Sequence, residues 1–213
     1  MFGAIPKTAW SRRYPSDKQN GCILAMRSML VRNGNGKIVL VDNGAGNKHL
    51  KQLSYYNFFD LVDLKEELRR RDVASEDVTD VILTHLHFDH CGYTTQKEEQ
   101  PGEKSPFKMA FPNAIHWVGR AQWENFLHPN ALEADSYFIE NMQAVYDSGK
   151  LRLIENDTNL GPGIDLRLFD GHTPGQIAPY ITTPERTYIF AGDVIPLAAS
   201  VSPLWISAYD TYP

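Results

Sequence analysis

Three of the seven histidines in this 213-residue chain, His85, His87 and His90, fall with Asp89 inside the run Thr84-His85-Leu86-His87-Phe88-Asp89-His90-Cys91-Gly92, directly after the apolar stretch Val81-Ile82-Leu83. On an extended segment side chains alternate faces, so His85 and His87 would point the same way about 7 Å apart at a strand end. A divalent ion fits between two such imidazoles. If the chain then turns at Phe88 into a short helix, Asp89 and His90 face the same pocket from another direction, and the spacing reads as a two-metal site. Crowding argues against a merely structural cluster: three imidazoles and a carboxylate at one strand end are costly to bury unpaired, whereas a cation compensates all four.

The elements that must deliver these side chains follow from hydrophobic spacing. Segments 22–32 and 37–41 are expected strands, joined by the hairpin signal Asn33-Gly34-Asn35-Gly36 and ending at Asp42-Asn43-Gly44. Residues 58–71 place Phe59, Leu61, Val62, Leu64 and Leu68 at helical spacing, and 78–84 is the strand that feeds the histidine motif. The polar run 96–108 is expected to be a solvent-exposed, mobile insertion. Beyond it, 114–118 reads as a strand and 119–127 and 135–146 as helices burying Trp123, Phe126, Phe138, Met142 and Val145; strands are expected at 151–155, 164–169, 178–182 and 187–191. This order suggests two sheets with helices outside, in a single domain over residues 1–213.

Bulk composition excludes several classes. With 42% hydrophobic and 22% charged residues the chain is of ordinary globular make-up. Its net charge is −5, and Arg69-Arg70-Arg71 suits a helix end better than a phosphate-binding patch, so no nucleic-acid partner is expected. No run of about 18 apolar residues and no secretory leader is seen, which points to a cytoplasmic protein with no membrane partner. Cys22 and Cys91 read as free thiols of a reducing compartment, Cys91 as a packed small residue ahead of a ligand.

Two later strand ends share the style of the first. Phe169-Asp170-Gly171-His172-Thr173-Pro174-Gly175-Gln176 sets His172 in a Gly/Pro turn, and Tyr188-Ile189-Phe190-Ala191-Gly192-Asp193 sets Asp193 after a strand. Each is weak alone. In order after His85-x-His87-x-Asp89-His90 they resemble the successive motifs of the metallo-β-lactamase superfamily. That resemblance implies the α/β class and an αββα sandwich. It makes His85, His87 and His172 ligands of a first metal, Asp89 and His90 ligands of a second, and Asp193 the bridging carboxylate. Asp42, in Leu40-Val41-Asp42-Asn43-Gly44, would support the site by hydrogen bonding. The implied cofactor is zinc, one ion or two, with manganese, iron or cobalt able to occupy the same cage. Two ions would bring the pKa of a bridging water towards about 7, and the resulting hydroxide would attack an ester or lactone carbonyl. Asp89 would be the catalytic residue, orienting that hydroxide and carrying its proton.

Met1-Phe2-Gly3-Ala4-Ile5-Pro6-Lys7 and Gly192-Asp193-Val194-Ile195-Pro196 resemble the branch holding N-acyl-homoserine-lactone lactonases and methyl parathion hydrolase-like enzymes. The expected substrate is therefore a small lactone or ester. Thioester hydrolysis of the glyoxalase II type and a catalytically weakened metal-binding protein are the alternatives. The chain departs from the family pattern after His172: no later histidine completes the second metal's set, and Ser200 follows Ala198-Ala199 where the branch often carries one. Both ends read as shortened, as in a fragment of a longer polypeptide, ahead of a natural short form. On either account the first site should bind metal better than the second. Trp205, Ile206, Tyr209 and Tyr212 would expose apolar surface that a partner subunit in a homo-oligomer could cover. His116 reads as a structural strand residue and His128 as a helix end, while His49 has no constellation. Tyr55, Tyr56, Phe58 and Phe59 read as packing ahead of an acyl-binding wall.

Overall fold

A computed structural model describes residues 2–98, 106–202 and 204–207. The chain runs α1 (Lys7–Trp10), β1 (Met29–Arg32), β2 (Ile38–Val41), α2 (Leu64–Arg69), β3 (Asp80–Ile82), α3 (Phe88–Cys91), β4 (Thr95–Lys97), β5 (Phe107–Met109), β6 (Ile115–Gly119), α4 (Arg120–Leu127), α5 (Gln143–Asp147), β7 (Leu151–Ile154), β8 (Thr158–Asn159), β9 (Ile164–Gly171), β10 (Thr173–Thr182) and β11 (Thr187–Ile189). Five strands form one sheet in the order β1-β2-β3-β6-β7, and four form a second in the order β11-β10-β9-β8. In the first sheet β2, β3, β6 and β7 are parallel and only β1 runs against its neighbour. The second sheet is antiparallel throughout.

Strand alternation sets the layers. Val39, Val41 and Ile82 project from one face of the first sheet and meet Ile164, Leu166, Ile177 and Ile181 of the second. Leu40, Val81 and Val118 project from the other face onto Leu68 of α2, Trp123 and Phe126 of α4, and Val145 of α5. A central parallel strand buried on both faces must be apolar at every position, which is how β2 reads. The expected two-sheet α/β sandwich is present, and its parallel strands all point their carboxyl ends at one rim. Loops gather functional side chains at such a rim. Among the described residues no helix is long and apolar enough to cross a membrane.

Several elements are shorter than the spacing predicts. The helix expected over 58–71 spans only Leu64–Arg69, because Asp63 caps it by accepting from the N–H groups of Lys65 and Glu66, and because Asn57 and Asp60 sit in the left-handed region. Phe59, Leu61 and Val62 are consequently exposed rather than packed. The helix expected over 135–146 becomes two single turns followed by α5, since Tyr137 and Phe138 are extended. The strand expected over 22–32 is confined to Met29–Arg32. The expected insertion begins and ends as a hairpin, β4 pairing with β5; residues 99–105 lie outside the described residues. Trp205 is partly covered, edge-on to Phe2 and beneath the Arg13 guanidinium, whereas Tyr209 and Tyr212 lie outside the described residues.

Candidate metal centre

Four loops at one rim of the sandwich converge. The first follows β2 and carries Asp42, which is fully buried and held at φ 50°. Its Oδ1 accepts the Thr84 backbone N–H at 2.8 Å, while Oδ2 accepts both the Thr84 hydroxyl at 2.8 Å and His90 Nδ1 at 2.7 Å. One carboxylate thus ties the β2 loop to both ends of the histidine motif. With its hydrogen given to Asp42, the Thr84 oxygen accepts from His85 Nδ1 at 3.1 Å. That fixes the His85 proton on Nδ1 and leaves Nε2 as a lone pair. His85 Nε2 is buried and has no hydrogen-bond partner among the described residues. An orphaned imidazole lone pair costs on the order of 1–3 kcal/mol unless something electropositive meets it.

The second loop, 83–87, leads from β3 into α3. His85 and His87 are not on a strand here, and their ring centroids lie 4.6 Å apart. The third loop is the tight turn between β9 and β10. There His172 takes φ 60°, a conformation that L side chains adopt at a cost, and it sets Nε2 3.0 Å from His87 Nδ1. The fourth follows β11. Gly192 has φ 52°, and a Cβ at that position would lie 2.9 Å from the Thr84 side chain, so only glycine lets this backbone close onto the motif. Next to it, Asp193 places Oδ1 3.4 Å from His90 Nε2 and Oδ2 3.5 Å from His172 Nε2.

The predicted residues therefore form two groups that share His85. One ring nitrogen from each of His85, His87 and His172 lies within 4.8 Å of the others, and the same holds for His85, His90 and one Asp193 oxygen. Asp193 spans the two groups. Asp89 stands at the edge of the second, its Oδ2 3.6 Å from His90 Nε2 and its side chain 34% exposed. The donor set of nitrogens and carboxylate oxygens, with the orphaned His85 Nε2 at its centre, fits a divalent ion such as zinc.

Electrostatics separate the groups. Burial, followed by the neighbouring imidazoles, holds His85 and His87 well below the usual histidine range, so both are neutral lone-pair donors. Burial acts in the same direction on His90, but the carboxylates of Asp89, Asp193 and Asp42 outweigh it and keep His90 well above that range. Asp193 answers in kind: burial would raise it, yet the charge and hydrogen bond of His90 bring it down to about 2. Burial and then the nearby charge of Asp193 push Asp89 up, against the pull of His90.

Other residues fall into simpler roles. Cys91 is buried, donates its thiol to Leu86 O at 3.3 Å, and is pushed by burial up to about 12, as befits a packed thiol. His128 ends α4 with its N–H on the carbonyls of Glu124 and Asn125. His49 stacks on Phe138 at 4.2 Å. Tyr55, Tyr56 and Phe59 are exposed, so the packing expected of them is not found, although the Tyr56 ring lies 5.0 Å from that of Phe88, the residue between His87 and Asp89, with Phe58 beside it. Four side chains around the centre escaped the sequence reading. Thr84 relays Asp42 to His85, Gln176 joins Asp193 N–H to the Gly171 carbonyl, Gln122 links two loops, and Tyr137 lays its ring 4.8 Å from that of His87. For Gln176 the signal was its place in the quoted Gly-His-Thr-Pro-Gly-Gln turn; for Gln122 it was a polar residue on the buried face of a helix.

The chain is similar to known proteins. Residues 27–93 match the family model of the metallo-beta-lactamase superfamily. The fold superposes on the crystal structure of a probable metal-dependent hydrolase from Staphylococcus aureus with a TM-score of 0.89 and 31% identity, covering 100% of this chain and 74% of that one. A dizinc quorum-quenching lactonase, AidC, shares the fold at a TM-score of 0.62 and 22% identity, over 85% of this chain and 61% of its own. A curated N-acyl homoserine lactonase from Bacillus sp is 30% identical over 116 residues, a stretch covering 54% of this chain and 38% of that relative's length. With its strand-end motifs, its two-sheet sandwich and a relative alike over most of its length, the chain belongs to the metallo-β-lactamase superfamily of metal-dependent hydrolases.

Proposed function

We propose that this protein hydrolyses a small lactone or ester with one or two divalent cations, most readily zinc, held by His85, His87 and His172 and by His90, Asp89 and Asp193. The observation that carries the reading is the pair of ligand groups sharing His85, with Asp193 facing both. When bound, the cations would polarise a carbonyl and make water nucleophilic at neutral pH. The chain's own part is orientation and proton handling. Asp42 and Thr84 fix the tautomers of His90 and His85, as partners of metal-binding imidazoles do. Asp89, partly exposed at the edge of the centre, is placed to take the proton of the attacking water at its carboxylate and return it to the departing alkoxide. The aromatic group of Tyr56, Phe58 and Phe88 and an open cavity of ≈ 350 Å³ lined by Phe126, Leu127, Tyr137, Phe138 and Ile139 offer apolar surface for the substrate's acyl part.

The lactone preference is supported by the lactonases among the relatives. The test is turnover of an N-acyl homoserine lactone, an aryl ester and a glutathione thioester by metal-stripped protein before and after zinc or manganese is restored. Metal-dependent lactone or ester turnover that is lost in Asp193→Ala supports the reading. Thioester-only turnover, or tight metal binding without any turnover, sinks it.

A further inference from the structure

Gln122 lies on α4, outside every loop that carries a candidate ligand, and its side chain is fully buried. A buried primary amide is costly unless satisfied, and here both ends are. Its Oε1 accepts the Leu86 backbone N–H at 3.3 Å and the Thr173 hydroxyl at 2.7 Å, while Nε2 donates to the Tyr137 hydroxyl at 3.2 Å. Leu86 sits between His85 and His87, and Thr173 directly follows His172. A single carbonyl oxygen therefore joins the loop bearing two members of the first group to the turn bearing the third. Its amide end anchors the tyrosine whose ring faces His87 at 4.8 Å.

From this geometry we infer that Gln122 is a positioning residue for the first metal site, setting the separation between the His85–His87 loop and the His172 turn. The inference rests on the reading of those three histidines as ligands. Other bonds anchor the two segments at their flanks, Thr84 to Asp42 and to the Ile177 N–H, and Gly171 to Gln176, whereas Gln122 Oε1 bonds the residue between His85 and His87 and the residue next to His172. Apolar packing of α4 through Trp123 and Phe126 supplies the helix's attachment to the core, so the Gln122 amide is not required for burial of the helix.

The test is zinc titration of the metal-free chain by calorimetry, with thermal unfolding measured alongside. Gln122→Leu keeps the volume and removes the link; the first-site affinity should fall about 10–100-fold, as for other groups that orient ligands. Asn125→Leu removes the neighbouring amide, which touches Tyr137 and Glu133 but no ligand loop, and should bind zinc as the wild type does. Gln122→Glu restores an acceptor and should recover most of the affinity. Wild-type zinc affinity in Gln122→Leu, or an equal loss in Asn125→Leu, overturns the inference. If Gln122→Leu does not fold, Thr173→Val cuts the same link from the turn, and unchanged affinity in that variant overturns it equally. Failure of the ligand reading looks different: wild-type protein would take up no zinc, or His87→Ala would take it up undiminished.

Discussion

His85 and His116 are both fully buried imidazoles with one nitrogen set against an oxygen and the other, Nε2, without a partner among the described residues. Their surroundings differ. His85 has the rings of His87, His90 and His172 within 4.0–5.0 Å and Asp193 in reach. His116 sits on β6 with Val81 and Leu151 as its cross-strand neighbours and Lys150 as the charge that acts on it. A solitary unsatisfied nitrogen is a tolerable loss in a large core. At the rim two converge, His85 Nε2 and His87 Nε2, and a cation compensates both together. The contrast teaches that convergence, rather than burial, separates a ligand from a core residue.

The sharpest way to break the contrast is to delete one member from each region. His87→Ala should remove the first equivalent of zinc and lower hydrolysis by more than the roughly 10–100-fold expected when a mere orienting partner is lost. His116→Phe should leave metal uptake within about two-fold, since its cross-strand neighbours Val81 and Leu151 and its partner Ala114 include no candidate ligand. Metal analysis after dialysis and a single-substrate assay read both. If the His116 variant lost metal, the two regions would be one site and the distinction would fail.

A smaller effect tests how the cluster is held. Asp42→Asn keeps an oxygen for the Thr84 N–H but turns an amide donor towards the Thr84 hydroxyl and His90 Nδ1, two groups that now donate to the carboxylate. His90 would lose its fixed tautomer, and the affinity for a second equivalent should fall about 10–100-fold. The first equivalent should change less, because in its group only His85 is tied to Asp42, and through Thr84, whereas His90 bonds it directly. Competition titration with a chromophoric chelator resolves the two steps, and a larger loss in the first would contradict the division of ligands described above.

How much of this was legible beforehand follows the same division between local and distant. His85, His87, Asp89 and His90 stand within six positions, so their convergence needed only a strand end and a turn. His172 and Asp193 were legible only through strand-end motifs read in order. Gln122 was not legible, because the groups it joins are 36 and 51 residues away in the chain. Layer order was legible from the apolar runs in β2 and β3. Helix extent was not: apolar spacing over 58–71 is helical, but left-handed turns at Asn57 and Asp60 and the Asp63 cap start the helix late. Local hydrogen bonds from short polar side chains overrode periodicity there.

The last test bears on His116 alone and uses pH. Burial lowers its pKa to about 4, against an unfolded value of about 6.5. Between those values the unfolded chain binds a proton that the folded chain excludes, so stability is complete above about 6.5, falls as the pH falls, and stops falling below about 4. From pH 7.5 to pH 5 the contribution of this one group is about 2 kcal/mol. Other ionisable groups also contribute to acid sensitivity, which is why the quantity to compare is the loss in wild type minus the loss in His116→Phe, measured by urea unfolding at both pH values. Groups common to both chains cancel in that difference. A residual of about 2 kcal/mol assigns the acid sensitivity to a lone core imidazole. A residual near zero would mean that His116 finds a partner on protonation, and the line drawn between a solitary and a convergent histidine would have to be moved.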